Sequence, residues 1–122
     1  MAVFVIRRGK KELVLKKSRL ADSSFKRFKG LMLEKKENFD YALVFPLNFE
    51  SSYGASIHMM FMNFPIDVLF LNSKLEIVDV VENLKPWVLN CTPKKAAKYI
   101  IEMPAGIARE KKIKVGEKAF FN

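Results

Sequence analysis

Apolar positions in this chain come in short runs broken by turn formers. The densest stretch, Ser56 to Asn72 (SIHMMFMNFPIDVLFLN), reads as the centre of the fold. Two runs, Ile57 to Met62 and Ile66 to Leu71, flank Asn63-Phe64-Pro65, and their length with β-branched and aromatic content predicts strands rather than helix. Because both runs are apolar at successive positions, each strand should be covered on both faces and lie centrally in a sheet or barrel.

The flanking pattern fills in the remaining elements. Val3 to Ile6 predicts a first strand, Gly9-Lys10-Lys11 its turn, and Leu13 to Leu15 the return strand of a hairpin. Phe25, Phe28, Leu31 and Met32 then recur at spacings of three and four, which predicts a short amphipathic helix over Ser23 to Lys29, with Asp22 or Ser23 as N-cap and Gly30 just past its end. Tyr41 to Phe45 returns to strand and Pro46 should stop it, leaving a polar loop from Leu47 to Ala55. After the central pair, a turn at Asn72-Ser73-Lys74 leads to a strand over Ile77 to Val81. A second irregular loop, Leu84 to Pro93, carries Trp87 and Cys91. Lys98 to Met103 predicts a strand closed by Pro104, Ala105 to Lys111 one or two helical turns, and Lys118 to Phe121 the last strand. The fold class is mainly β, bordering on α+β: a compact antiparallel barrel or rolled sheet with two short helices, one domain over residues 1–122.

Composition supports a packed core and narrows the setting. Half the residues are hydrophobic and 11 are Phe, enough for a core that needs no disulfide or structural metal. A single Cys cannot form an internal bridge, and Ala2 to Ile6 is too short for the apolar segment of a secretion signal, so a reducing cytoplasm is expected. The tract from Ile57 to Leu71 is interrupted by Asn63, Pro65 and Asp67 and falls short of the ~20 residues of a bilayer helix, so no membrane partner is expected. Absent Gln and abundant Lys lean towards a thermophilic source. The formal charge of +9 attracts anions of every kind and selects none.

The order of motifs adds a resemblance. Gly30-Leu31-Met32, Ala42-Leu43-Val44-Phe45, Met59 followed by Pro65-Ile66-Asp67 with Phe70, then Glu102-Met103-Pro104-Ala105-Gly106 and Ile113 to Glu117 together resemble the family catalogued as domain of unknown function 192, from about Phe25 to Phe121. The resemblance implies a barrel-like, mostly β domain and brings no assigned activity. The chain departs from the family pattern at three places. His58 stands where Trp is frequent, Phe61 and Met62 where a polar Asn-Thr pair is common, and Glu117 where Asp is usual.

Several constellations carry candidate chemistry. His58, Met60 and Met62 alternate, so on a strand they would share a face and offer soft ligands to Cu(I); core packing is the competing role and is preferred, with no metal or cofactor expected. Cys91, His58 and Asp67 are the residue types of a thiol nucleophile, its base and an orienting acid, but no oxyanion-hole motif flanks Cys91. Glu102 and Asp67, each beside a proline-marked strand end, could line one pocket for acid-base work, or each could accept hydrogen bonds from turn amides. The basic groups Arg7-Arg8-Lys10-Lys11, Lys16-Lys17-Arg19, Lys26-Arg27-Lys29 and Lys111-Lys112-Lys114 suit weak, sequence-blind contact with nucleic acid, while the neighbouring aromatics are needed for the core. The favoured reading is a binding domain for a small or anionic ligand, in a cleft at one end of the barrel lined by Met32, His58, Asp67 and Glu102 and rimmed by the two long loops. A small hydrolytic or acid-base enzyme using carboxylates is the second reading, and a nucleic-acid-binding protein the third.

Overall fold

The computed structural model describes residues 2–21 and 30–121. Among them the strands are β1 Val3–Arg7, β2 Lys10–Leu15, β3 Ser18–Leu20, β4 Ala42–Ser51, β5 Ile66–Leu71, β6 Ile77–Leu84, β7 Ala97–Pro104 and β8 Lys118–Phe121. One four-residue helix, α1 (Ile107–Glu110), and two single 3-10 turns at Lys36–Asn38 and Tyr53–Ala55 complete the described regular structure. The helix expected over Ser23 to Lys29 lies outside the described residues.

The strands form two sheets, β2-β1-β8 and β3-β4-β7-β5-β6. They meet at one corner, where Ile77 donates to the carbonyl of Glu117 (2.8 Å) and Ala119 to that of Leu75 (3.0 Å). They do not close. The expected barrel is therefore corrected to two packed sheets, with β2 and β3 left as edges. Nor is the pairing wholly antiparallel, since β3 runs parallel to β4.

Strand alternation divides the apolar side chains between two clusters. Ala42 and Val44 of β4, Leu69 and Leu71 of β5, and Ile101 and Met103 of β7 meet Val3, Val5 and Ala119 of the smaller sheet in an inner cluster. The intervening residues Leu43, Phe45, Ile66, Val68, Phe70 and Ile100 point to the other face, where Leu31, Phe39, Met59, Met62 and Phe64 from the connecting segments cover them in an outer cluster. β5 lies between β6 and β7 and is buried at all six positions, as expected of a strand apolar on both faces.

Two expected boundaries fail. Pro46 does not stop β4, which runs on to Ser51; β3 ends opposite Val44, so Pro46 sits beyond the pairing on that side, where its missing N–H is tolerated. Ile57 to Met62 is not a strand: Ile57 makes a lone bridge to Cys91, and the chain turns at Met60-Phe61 with Phe61 in the left-handed region (φ 60). The segment is apolar because Met59 and Met62 plug the outer cluster from above. It is held by the 85–96 loop, with Met59 donating to the carbonyl of Val88 (2.7 Å), Trp87 to that of Met59 (2.7 Å), and Ile57 and Cys91 exchanging bonds of 2.9 and 2.8 Å.

Candidate functional site

On the outer face of the larger sheet, β4 and β7 and the covering segments leave a cleft of about 300 Å³. That is the lower end of the range for small-molecule sites. Phe45 and Ile100 form part of its floor, Met32 and Met62 its apolar sides, and Ser56, His58 and Glu102 its polar points. It lies on the face of the sheet rather than at the end of a barrel, and of the two long loops only the first lines it, through Leu47 and Gly54. The second supports it from behind: Ser52 Oγ donates to the carbonyl of Pro93 (3.0 Å), and Ser56 Oγ shares a 2.7 Å bond with Thr92 Oγ1. Asp79, itself buried, accepts the Lys94 N–H at 3.1 Å and ties this loop to β6.

Register explains the environment of Glu102. It pairs with Leu43 of β4 on one side and Val68 of β5 on the other, both buried, so its carboxyl leaves the sheet between apolar neighbours. The residue is 6% exposed. Burial pushes its carboxyl up to about 8, with no hydrogen bond or cation among the described residues to offset it. At neutral pH Glu102 is thus a neutral acid with a proton to donate, a state known from catalytic and ligand-binding carboxyls in apolar pockets. His58 presents a different polar edge. Its Nδ1 accepts the N–H of Met60 (3.2 Å), so in the neutral ring the proton sits on Nε2.

The structure brings together three of the four expected residues, Met32, His58 and Glu102, and separates the fourth. Asp67 pairs with Met103, one position from the Val68–Glu102 pair, so the pleat sends it to the opposite face. There it is wholly buried and accepts the N–H groups of Asn83 (2.8 Å), Gly106 (3.0 Å) and Ala108 (2.9 Å). The α1 N-cap is Gly106, at φ 99, a conformation that suits glycine and leaves the helix start without a capping side chain of its own. Asp67 supplies that cap from a distant strand. Backbone amides, the kind of partner expected, thus satisfy it in full, without help from any side-chain donor among the described residues.

The other constellations disperse. Asp67 cannot orient His58 across the sheet, and burial, with Asp79 adding to it, pushes the Cys91 thiol up, away from a nucleophilic thiolate. His58, Met60 and Met62 lose their common face because they lie on a turn rather than a strand. Ser56 was missed. Nothing in its sequence neighbourhood marks it, because it reaches the cleft through the 3-10 turn at Tyr53–Ala55, which reverses the chain after β4.

A two-sheet β domain with a small cleft of mixed polar and apolar lining around one neutral acid is the class this geometry defines. The chain belongs to the DUF192 family (Uncharacterized ACR, COG1430), whose model matches residues 5–121. It is 50% identical over 101 residues to a UPF0127 protein of Thermococcus kodakarensis, covering 83% of this chain and 62% of that protein. It is 45% identical over 104 residues to a UPF0127 protein of Pyrococcus furiosus, covering 85% of each. The chain thus spans less than two thirds of the first relative's length. These relatives come from thermophilic archaea, in keeping with the lean of the composition. A solved structure from Sinorhizobium meliloti 1021, a proposed transcription regulator, superimposes with a TM-score of 0.84 over 97% of this chain and 90% of that one, at 22% identity. That likeness establishes the fold alone. Among the described residues no helix is long and apolar enough to cross a membrane.

Proposed function

We propose that the cleft binds a small ligand with a compact apolar body and an oxygen acceptor, a carbonyl or a carboxylate, that takes a hydrogen bond from the neutral Glu102. The observation that carries this reading is Glu102 itself, a buried acid without a partner among the described residues, opening on a cleft. A group of this kind costs stability unless something fills its hydrogen-bonding capacity, so a ligand acceptor is the natural counterpart. Met32, Met62 and Ile100 offer contact surface for the apolar body, and His58 Nε2 and Ser56 Oγ offer further polar contacts. A second reading, acid-base catalysis, is favoured by the position of Glu102 near 8, where a general acid is mostly protonated yet able to release its proton at neutral pH.

Glu102→Leu tests the binding reading. It replaces the acid by an apolar side chain of similar size, so the fold should hold. Native mass spectrometry of the purified protein, followed by a thermal-shift screen of small carbonyl compounds and short carboxylates, should find a ligand that stabilises the parent and not the variant. A ligand retained undiminished by Glu102→Leu would overturn the proposal. The catalytic reading additionally requires turnover that falls as pH rises through about 8.

A further inference from the structure

The β1–β2 turn and the 112–117 segment border a second and wider cleft that shares no lining residue with the first, and whose lining includes Arg7, Arg8, Lys10, Lys112, Lys114 and Glu117. Its two walls are locked together. Arg7 donates from Nε to Glu117 Oε2 (2.7 Å) and from Nη1 to Glu12 Oε2 (2.8 Å), and Glu117 Oε1 also accepts the Lys114 N–H at 2.7 Å. Burial alone would push Glu117 upward, but the bonds from Arg7 and the Lys114 amide outweigh it and hold the carboxylate below its ordinary range. Both carboxylates of the cleft are therefore committed to Arg7. Among the described residues, the side chains of Arg8, Lys10, Lys112 and Lys114 make no hydrogen bond or close ion pair; Lys114 acts on Glu117 through its charge as well as its amide, and all four cations are exposed.

Two of these cations stand where the backbone argues against them. Arg8 and Gly9 have φ values of 50 and 75, the pattern of a two-residue hairpin turn that favours Asn or Asp before Gly. Lys112, just beyond α1, has φ 55, at the helix end where Gly or Asn is the usual residue. Neither turn needs a cation, and each carries one in a conformation that strains a long side chain's backbone. Of the seven described non-glycine residues at positive φ, these two are the cations, and both line the same positively charged cleft beside Lys10 and Lys114. We infer that this cleft is a binding site for a chain of phosphates, with Arg8, Lys10, Lys112 and Lys114 as its ligating cations. Arg8 can grip one phosphate with two parallel N–H bonds, while the lysines follow the chain as point charges. This site is independent of the cleft at Glu102.

Tripolyphosphate and a single-stranded oligonucleotide of about 8 nucleotides serve as probes, since each carries linked phosphates and the second also tests a nucleic-acid source. Calorimetric titration of the whole chain at about 0.15 M salt should detect one or both. Arg8→Asn combined with Lys112→Asn removes two cations while giving both turns a residue that accepts their geometry. This variant should melt no lower than the parent yet bind at least about tenfold more weakly, with the salt slope for the oligonucleotide reduced by about 1.4, two contacts at roughly 0.7 each. Lys10→Ala with Lys114→Ala repeats the test away from the strained positions. Lys35→Asn with Lys36→Asn, an equal charge change at residues outside the cleft, should weaken binding less than about twofold. Binding of tripolyphosphate alone assigns a free phosphate ligand, and binding of the oligonucleotide alone assigns a nucleic-acid backbone. Failure of both probes to bind, or an equal loss in the Lys35 and Lys36 variant, overturns the site.

Discussion

Asp67 and Glu102 sit one register position apart on neighbouring strands and meet opposite fates. The pleat puts Asp67 on the inner face, where three backbone N–H groups satisfy it, and Glu102 on the outer face, where none does. Two buried carboxyls can therefore be told apart by what donates to them. Asp67 holds the start of α1 and the end of β6 against β5, so Asp67→Ala should leave those donors unpaired in a dry environment and lower stability by about 2–4 kcal/mol. Asp67→Asn keeps one acceptor oxygen and should cost less. Urea unfolding of both variants at pH 7 measures this. Stability unchanged in Asp67→Ala would show that the three bonds contribute nothing net, and would move Asp67 from structural clasp to functional candidate.

Among the elements, β5 is the one whose disruption the fold should tolerate least. It is paired on both sides and covered on both faces, so its amides have no route to solvent short of global opening. Native-state hydrogen exchange should find Val68, Leu69 and Phe70 among the slowest amides, and those of edge strands β2 and β3 orders of magnitude faster. Comparable rates in β5 and β2 would mean that the larger sheet opens locally at its centre. β5 was legible in the sequence because six residues, five of them apolar, followed a Pro and preceded an Asn-Ser-Lys turn, a length that suits a strand. The β1–β2 hairpin, β6, β7 and β8 were legible for similar reasons. Ile57 to Met62 was not, because a run apolar at all positions but His58 has no period: it fits a central strand and a plug over the core equally well. What decides is Phe61 in a left-handed turn and a backbone partner, the 85–96 loop, that is itself irregular. The site was half legible for a related reason. Residue type pointed to His58, Asp67 and Glu102 together, but which face Asp67 and Glu102 occupy depends on strand register, and register is set by pairings between segments far apart in the chain.

At the scale of the whole molecule, the two clefts impose opposite demands on stability as pH changes. Glu117 has its carboxyl lowered in the folded state, so its contribution is present above the unfolded value of 4.5 and is lost as pH falls through the lower folded value. Glu102 is raised, so between 4.5 and about 8 the folded chain holds a proton that the unfolded chain has released, and stability falls as pH rises across that window. The Glu102 term is the larger, because a carboxyl moved from 4.5 to about 8 corresponds to roughly 4–5 kcal/mol between its acid and alkaline limits. The Arg7–Glu117 pair, a fifth exposed on each side, is partly screened by solvent and contributes less. Stability should therefore peak near about pH 5 rather than at neutrality, high enough for Glu117 to be ionised and low enough that holding the Glu102 proton is cheap. Glu102→Gln keeps the shape and removes the titration. It should raise stability at pH 7.5 by about 3–4 kcal/mol, leave it nearly unchanged at pH 4.5, and move the maximum towards neutral pH. Urea unfolding of parent and variant at intervals between pH 4 and 9 gives both curves directly. Parallel curves would mean that Glu102 ionises as freely in the folded chain as in the unfolded one, and the neutral acid on which the proposed binding cleft depends would be gone.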